Sequence, residues 1–120
     1  MRPFSARPRW RVAALLVASS CVLGAARWWP TEEQTPRRRE IRMRGNSFSP
    51  RDIRAAVGDT VIWINGDIVR HNAVRPELFD SGELRSGERF TWVPADTGTV
   101  RYQCTIHSRM RGVIRVSEPR

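Results

Sequence analysis

The sequence predicts an all-β fold, a sandwich or barrel of about seven or eight short strands. Three observations point there. From Ile41 onward apolar residues recur at every second position. The runs are short and broken by Gly, Pro and Asp turns. No segment carries a helical stripe of apolar residues. Ile41 and Met43 alternate with Arg42 and Arg44, which places Met43 in the core. Ile53, Ala55 and Val57 form a second run with Arg54 outward, and Gly58-Asp59 then turns the chain. Thr60 to Asn65 is apolar on both faces, as the central strand of a sandwich should be. Phe90 and Trp92 alternate with Arg89 and Thr91. Val100, Tyr102 and Cys104 share one face, Arg101 and Gln103 the other, and Ile114 and Val116 close the set. Trp63, Trp92, Phe48, Phe79, Phe90 and Tyr102 are expected to fill this small core as packing residues.

With 120 residues the chain has room for one domain. Residues 1–26 read as an export signal. Arg2, Arg7, Arg9 and Arg11 make a positive start, Val12 to Leu23 is a short apolar stretch, and Gly24-Ala25-Ala26 offers small residues for cleavage before Arg27. Two other readings of this segment keep the protein at a membrane. In one the leader is retained as an anchor, with Trp28-Trp29 at the interface. In the other, Ala18-Ser-Ser-Cys21 is processed as a lipoprotein site. Residues 27–40 read as a flexible linker, because residues 30–40 lack apolar side chains and carry two prolines. The folded domain is expected over 41–120, as a monomer in the periplasm or an equivalent extracytoplasmic space. Cleavage leaves it one cysteine, so no internal disulfide can form.

All 21 basic residues are arginine, and the formal charge is +9. From Arg27 onward 17 arginines face 12 acids. The excess is scattered, without the basic stripe of a nucleic-acid protein, so no nucleic-acid partner is expected.

The residues that carry chemistry sit near the end, in Tyr102-Gln-Cys104-Thr-Ile-His107-Ser-Arg-Met110-Arg-Gly112. The only other histidine is His71. Two imidazoles, a thiolate and a thioether form the ligand set of a blue-copper electron-transfer site, with a weak axial Met. Cys104, His107 and Met110 stand three residues apart, so one short loop can bring them to a metal from one side while His71 closes it from another element. Soft sulfur ligands select copper, and a closed zinc site would need a fourth Cys or His that this domain lacks. Cys104 ends an inward-facing run, which points its sulfur into the apolar interior. Asn72 is either an ordinary turn residue or a tie between the two ligand-bearing loops.

These blocks resemble the cupredoxin family, most of all its amicyanin and plastocyanin branch. The resemblance rests on Phe48-Ser-Pro50, Val57 to Asn65, His71-Asn72, Phe79-Asp-Ser-Gly82, Gly98, the Tyr102 to Met110 motif and Gly112-x-Ile114-x-Val116. Two residues between His107 and Met110 match the short loop of amicyanins. Ile106, where a proline usually precedes the second histidine, departs from the pattern, as do Arg109 in an apolar position and Val100 in place of a frequent tyrosine. The resemblance implies a Greek-key β-sandwich, one type 1 copper per chain and one-electron transfer between redox protein partners, with His71 the buried ligand and His107 the solvent-edge ligand. Copper delivery or storage with the same ligands is the second reading. An oxidase or nitrite reductase would need a further copper site, and both histidines are already used. Arg70, Arg109 and Arg111 either ring the copper edge and steer acidic partners or are solvated loop charges.

Overall fold

The computed structural model describes residues 35–120. The expected leader, with Ala26 and Cys21, and the first part of the expected linker lie outside the described residues. Nine strands are present among the described residues: β1 (Arg38–Arg44), β2 (Ser47–Ser49), β3 (Asp52–Ala56), β4 (Thr60–Asn65), β5 (Val74–Arg75), β6 (Phe79–Asp80), β7 (Arg89–Trp92), β8 (Gly98–Gln103) and β9 (Arg111–Ser117). They form a four-stranded sheet ordered β2-β1-β4-β7 and a five-stranded sheet ordered β3-β9-β8-β5-β6. The fold is the Greek-key β-sandwich that the alternating pattern and the resemblance imply.

The two sheets bury alternate residues of their strands between them. Ile41 and Met43 of β1, Val61 and Trp63 of β4, Val100 and Tyr102 of β8 and Ile114 and Val116 of β9 share one core. Trp63 is fully buried at its centre, with ring centroids 5.0 Å from Phe79, 5.3 Å from Tyr102 and 5.6 Å from Phe90. Burying several aromatic rings gives a small domain much of its apolar gain. β4 is buried along almost its whole length, as a strand with apolar residues on both faces should be. β1 and β2 are joined by Gly45-Asn46, with φ of 59° and 54°. Such a two-residue turn matches the twist of the strands it connects.

One boundary differs from expectation. β1 starts at Arg38, inside the segment read as linker, and Arg38, Arg39 and Glu40 pair in parallel with Thr60, Val61 and Ile62. Their side chains are charged, but a ladder needs only backbone groups, and β4 offers β1 the edge opposite the one that β7 takes. Asp59, 2% exposed, fixes the start of this pairing. Its carboxylate accepts hydrogen bonds from the N–H of Arg37 and of Ala56, both at 2.9 Å, and from the Arg120 guanidinium at 3.2 Å. Burial alone would raise the Asp59 carboxyl. The two N–H groups and the guanidinium outweigh it and hold the group below its usual range.

Candidate metal centre

β8 and β9 pair antiparallel, with Gln103 opposite Arg111 in the last rung. Cys104 and Met110 follow immediately, and the Cys104 N–H donates to the Met110 carbonyl at 2.9 Å. The Met110 N–H donates to the His107 carbonyl at 3.0 Å, which curls the intervening residues into a tight loop. The register of two strands therefore sets three of the four expected ligands on one short arc. His71 comes from the connection after β4 and is held by a pair of backbone hydrogen bonds with Leu84, at 3.2 and 2.7 Å.

The two imidazoles turn the same nitrogen toward one point. Nδ1 of His71 lies 3.2 Å from Nδ1 of His107, and the Cys104 Sγ lies 3.8 Å from the latter. Candidate ligand atoms of His71, Cys104 and His107 all fall within 4.8 Å of one another. His71 and Cys104 are buried and His107 is half-buried, the asymmetry expected of an inner and a solvent-edge imidazole. Met110 is 1% exposed at the end of the same loop. Two nitrogens and a thiolate sulfur at this spacing fit a copper ion of the type 1 class, whose plane is His₂Cys.

Hydrogen bonds around these residues fix their orientation. The Asn72 side-chain amide donates to Thr105 Oγ1 and its carbonyl oxygen accepts from the Thr105 N–H, both at 2.7 Å, so it ties the His71 connection to the Cys104 loop. Of the two readings of Asn72, the tie is correct. The far nitrogen of His71, Nε2, is 2.7 Å from Asp67 Oδ2. That contact leaves Nδ1 as the nitrogen free to bind a metal, the outer-shell arrangement that fixes a histidine's tautomer. The same hydrogen bond from His71 holds the Asp67 carboxyl below its usual range. Asp67 is held in turn by Asn65, fully buried at the end of β4. The Asn65 carbonyl oxygen accepts from the Asp67 N–H, and its amide donates to the carbonyls of Val69 and Leu84, all at 2.8 Å. Neither role is read from the sequence. The one trace is an acid four residues before a histidine in a loop, a common pattern with no meaning until the loop closes.

Of the three arginines near the ligands, Arg70 pairs with Glu83 at 2.9 Å. Arg109 and Arg111 are exposed and outside any ion pair among the described residues. The ligand loops also expose apolar side chains, Ile68, Val69 and Ile106.

A small all-β sandwich that gathers a thiolate and two imidazoles at one end defines a copper electron-transfer protein. No protein-family model matches the chain. Solved structures do. A purple cupredoxin from Nitrosopumilus maritimus is 32% identical, with a TM-score of 0.62; the match covers 66% of this chain and 99% of that one. A reduced amicyanin variant is 26% identical, with a TM-score of 0.62 and coverage of 66% and 81%. A copper-containing nitrite reductase from Thermus scotoductus SA-01 is 36% identical, with a TM-score of 0.64; the match covers 72% of this chain and only 24% of that longer enzyme. The chain belongs to the cupredoxin family.

Proposed function

We propose that this protein is an exported carrier of single electrons, and that one copper would be held by His71, Cys104, His107 and Met110. The convergence of one nitrogen from each imidazole and the Cys104 sulfur within 4.8 Å, with the two Nδ1 atoms 3.2 Å apart, carries the reading. Copper bound there supplies a Cu(I)/Cu(II) couple. The protein's part is to keep the site rigid and dry. The Asn72–Thr105 tie and the Cys104–Met110 hydrogen bond restrain the ligand loop, and burial of Cys104 excludes water from the sulfur. The half-buried ring of His107 gives a docked partner its shortest approach to the site. Four protein ligands leave no position for a substrate, which favours a carrier over an enzyme. Copper delivery would use the same donors, but ligand release needs a looser loop than these hydrogen bonds allow. The positive start, short apolar stretch and small residues of 1–26 support a periplasmic or other extracytoplasmic location for this carrier.

The test is an absorption spectrum of the copper-loaded domain. One copper per chain and an intense visible thiolate-to-Cu(II) band are expected. Cys104→Ser should remove the band and leave a folded domain. A colourless Cu(II) complex of the wild type would falsify the assignment. Slow electron exchange beside rapid copper release would favour delivery.

A further inference from the structure

Arg51, Arg75, Arg101 and Arg111 line one groove of about 480 Å³ on the five-stranded sheet, with Gln103 and Val113 among the residues between them. The strand register explains why they meet. Arg101 of β8 lies opposite Val113 of β9, and Gln103 lies opposite Arg111. Arg51 adjoins through its carbonyl, which accepts from the Val113 N–H at 2.9 Å, and Arg75 extends β5 at the other side. All four arginines are exposed, and none is in an ion pair among the described residues. Unpaired arginines occur elsewhere on this surface, but these four share one concavity. Two acids flank the groove in register: Asp52, opposite Val113 across the β3–β9 ladder, is engaged by Arg115 at 2.9 Å, and Asp80, opposite Val74 across the β5–β6 ladder, accepts from the Gly82 N–H at 2.8 Å. Among the described residues no carboxylate lies within ion-pair distance of any of the four, so the groove concentrates positive charge.

Its place in the chain gives this charge a use. Gln103 is peptide-bonded to Cys104, and Arg111 to Met110, so the groove begins one residue from two of the proposed ligands. We infer that the groove is the docking site for an acidic segment of the protein's electron-transfer partner. The inference rests on the function proposed above and adds a surface separate from the His107 edge, where Ile68, Val69 and Ile106 are exposed and Arg70 is already paired. A carboxylate-rich strand or loop matches the groove in charge, and guanidiniums bind carboxylates in a directed, two-pronged manner. The protein's excess of arginine steers such a partner from a distance, and the groove fixes where it settles.

Titration of the Cu(I)-loaded protein with hexaglutamate peptide, followed by amide NMR, tests this. Saturable shifts are expected at Arg75, Arg101, Gln103 and Arg111, with affinity falling steeply as sodium chloride is raised. The double variant R75Q/R101Q should bind the peptide about tenfold more weakly, two exposed charge pairs being lost, with the visible copper band unchanged. R44Q/R89Q removes the same charge from the other sheet and should bind as the wild type does. Equal weakening by both double variants, or shifts confined to Ile68, Ile106 and His107, would overturn the inference. So would groove shifts with phosphatidylglycerol vesicles and none with the peptide, since the occupant would then be a membrane. A wild type without the thiolate band refutes the electron-transfer function, whereas the groove's affinity for the peptide is decided by the amide shifts alone.

Discussion

His71 is fully buried, yet both of its ring nitrogens are used: Nδ1 faces the other donors and Nε2 meets the Asp67 carboxylate at 2.7 Å. A negative charge one imidazole away from a metal raises ligand basicity and favours the higher oxidation state. Asp67→Asn should therefore weaken copper binding by about tenfold and raise the reduction potential, measured by competition titration and redox titration. A potential unchanged by the substitution would leave Asp67 only a structural role. Met110 lies at the opposite extreme of ligand strength. Axial thioethers bind weakly and mainly set the potential, so Met110→Leu should keep copper and colour while raising the potential. Outright loss of copper would make Met110 an anchor. The donor types and their spacing were legible in the sequence because metal ligands have few chemical substitutes. Asp67 and Asn65 were not, because their function depends on which atoms a loop brings within reach after folding.

At the scale of elements, the β8–β9 hairpin does most of the positioning. Its last rung delivers Cys104 and Met110 side by side, and Gly112, one residue into β9, makes room for the ring of Tyr102 opposite it. A Cβ at Gly112 would clash with the Tyr102 ring, which is buried against Phe48, Trp63 and Phe79. Gly112→Ala should destabilise the domain by about 1–3 kcal/mol through overpacking, seen as a lower urea midpoint, and should loosen copper because the hairpin itself must shift. β1, β3, β4, β7, β8 and β9 announce themselves by alternation or by continuous apolar runs. β5 and β6 have two residues each and β2 has three, too few for a period of two to show. The first residues of β1 were hidden for a different reason. Arg38 and Glu40 carry charge outward and Arg39 turns toward Asp59 at 3.9 Å, so a composition that reads as linker hides the ladder with β4.

For the whole molecule, function depends on delivery to the right compartment as well as on the site. The charged start, the short apolar stretch and the small residues at Ala25 and Ala26 motivate export with removal of the leader. Mass spectrometry of the native protein should find its N-terminus at or close to Arg27. An intact Met1, or a lipid on Cys21, would instead mark a membrane-anchored form. The remaining domain concentrates its chemistry at one end of the sandwich. β4 leads away from Asp59 toward the His71 connection, and β9 leads back from Met110 to Ser117, whose carbonyl accepts from the Val57 N–H at 2.9 Å.

The Asp59 carboxylate, bound by both Arg37 and Arg120, has a practical consequence. It gathers the two flanks of the domain at the end of β4 farthest from the ligands, and β4 has six residues, a span of roughly 20 Å at strand rise. A tag or surface linker attached beyond either flank therefore points the opposite pole outward. Immobilised on an electrode through such a linker, the protein would present its His107 end to the solution, away from the conductor. Fast direct wiring to the electrode would instead require attachment through the ligand loops.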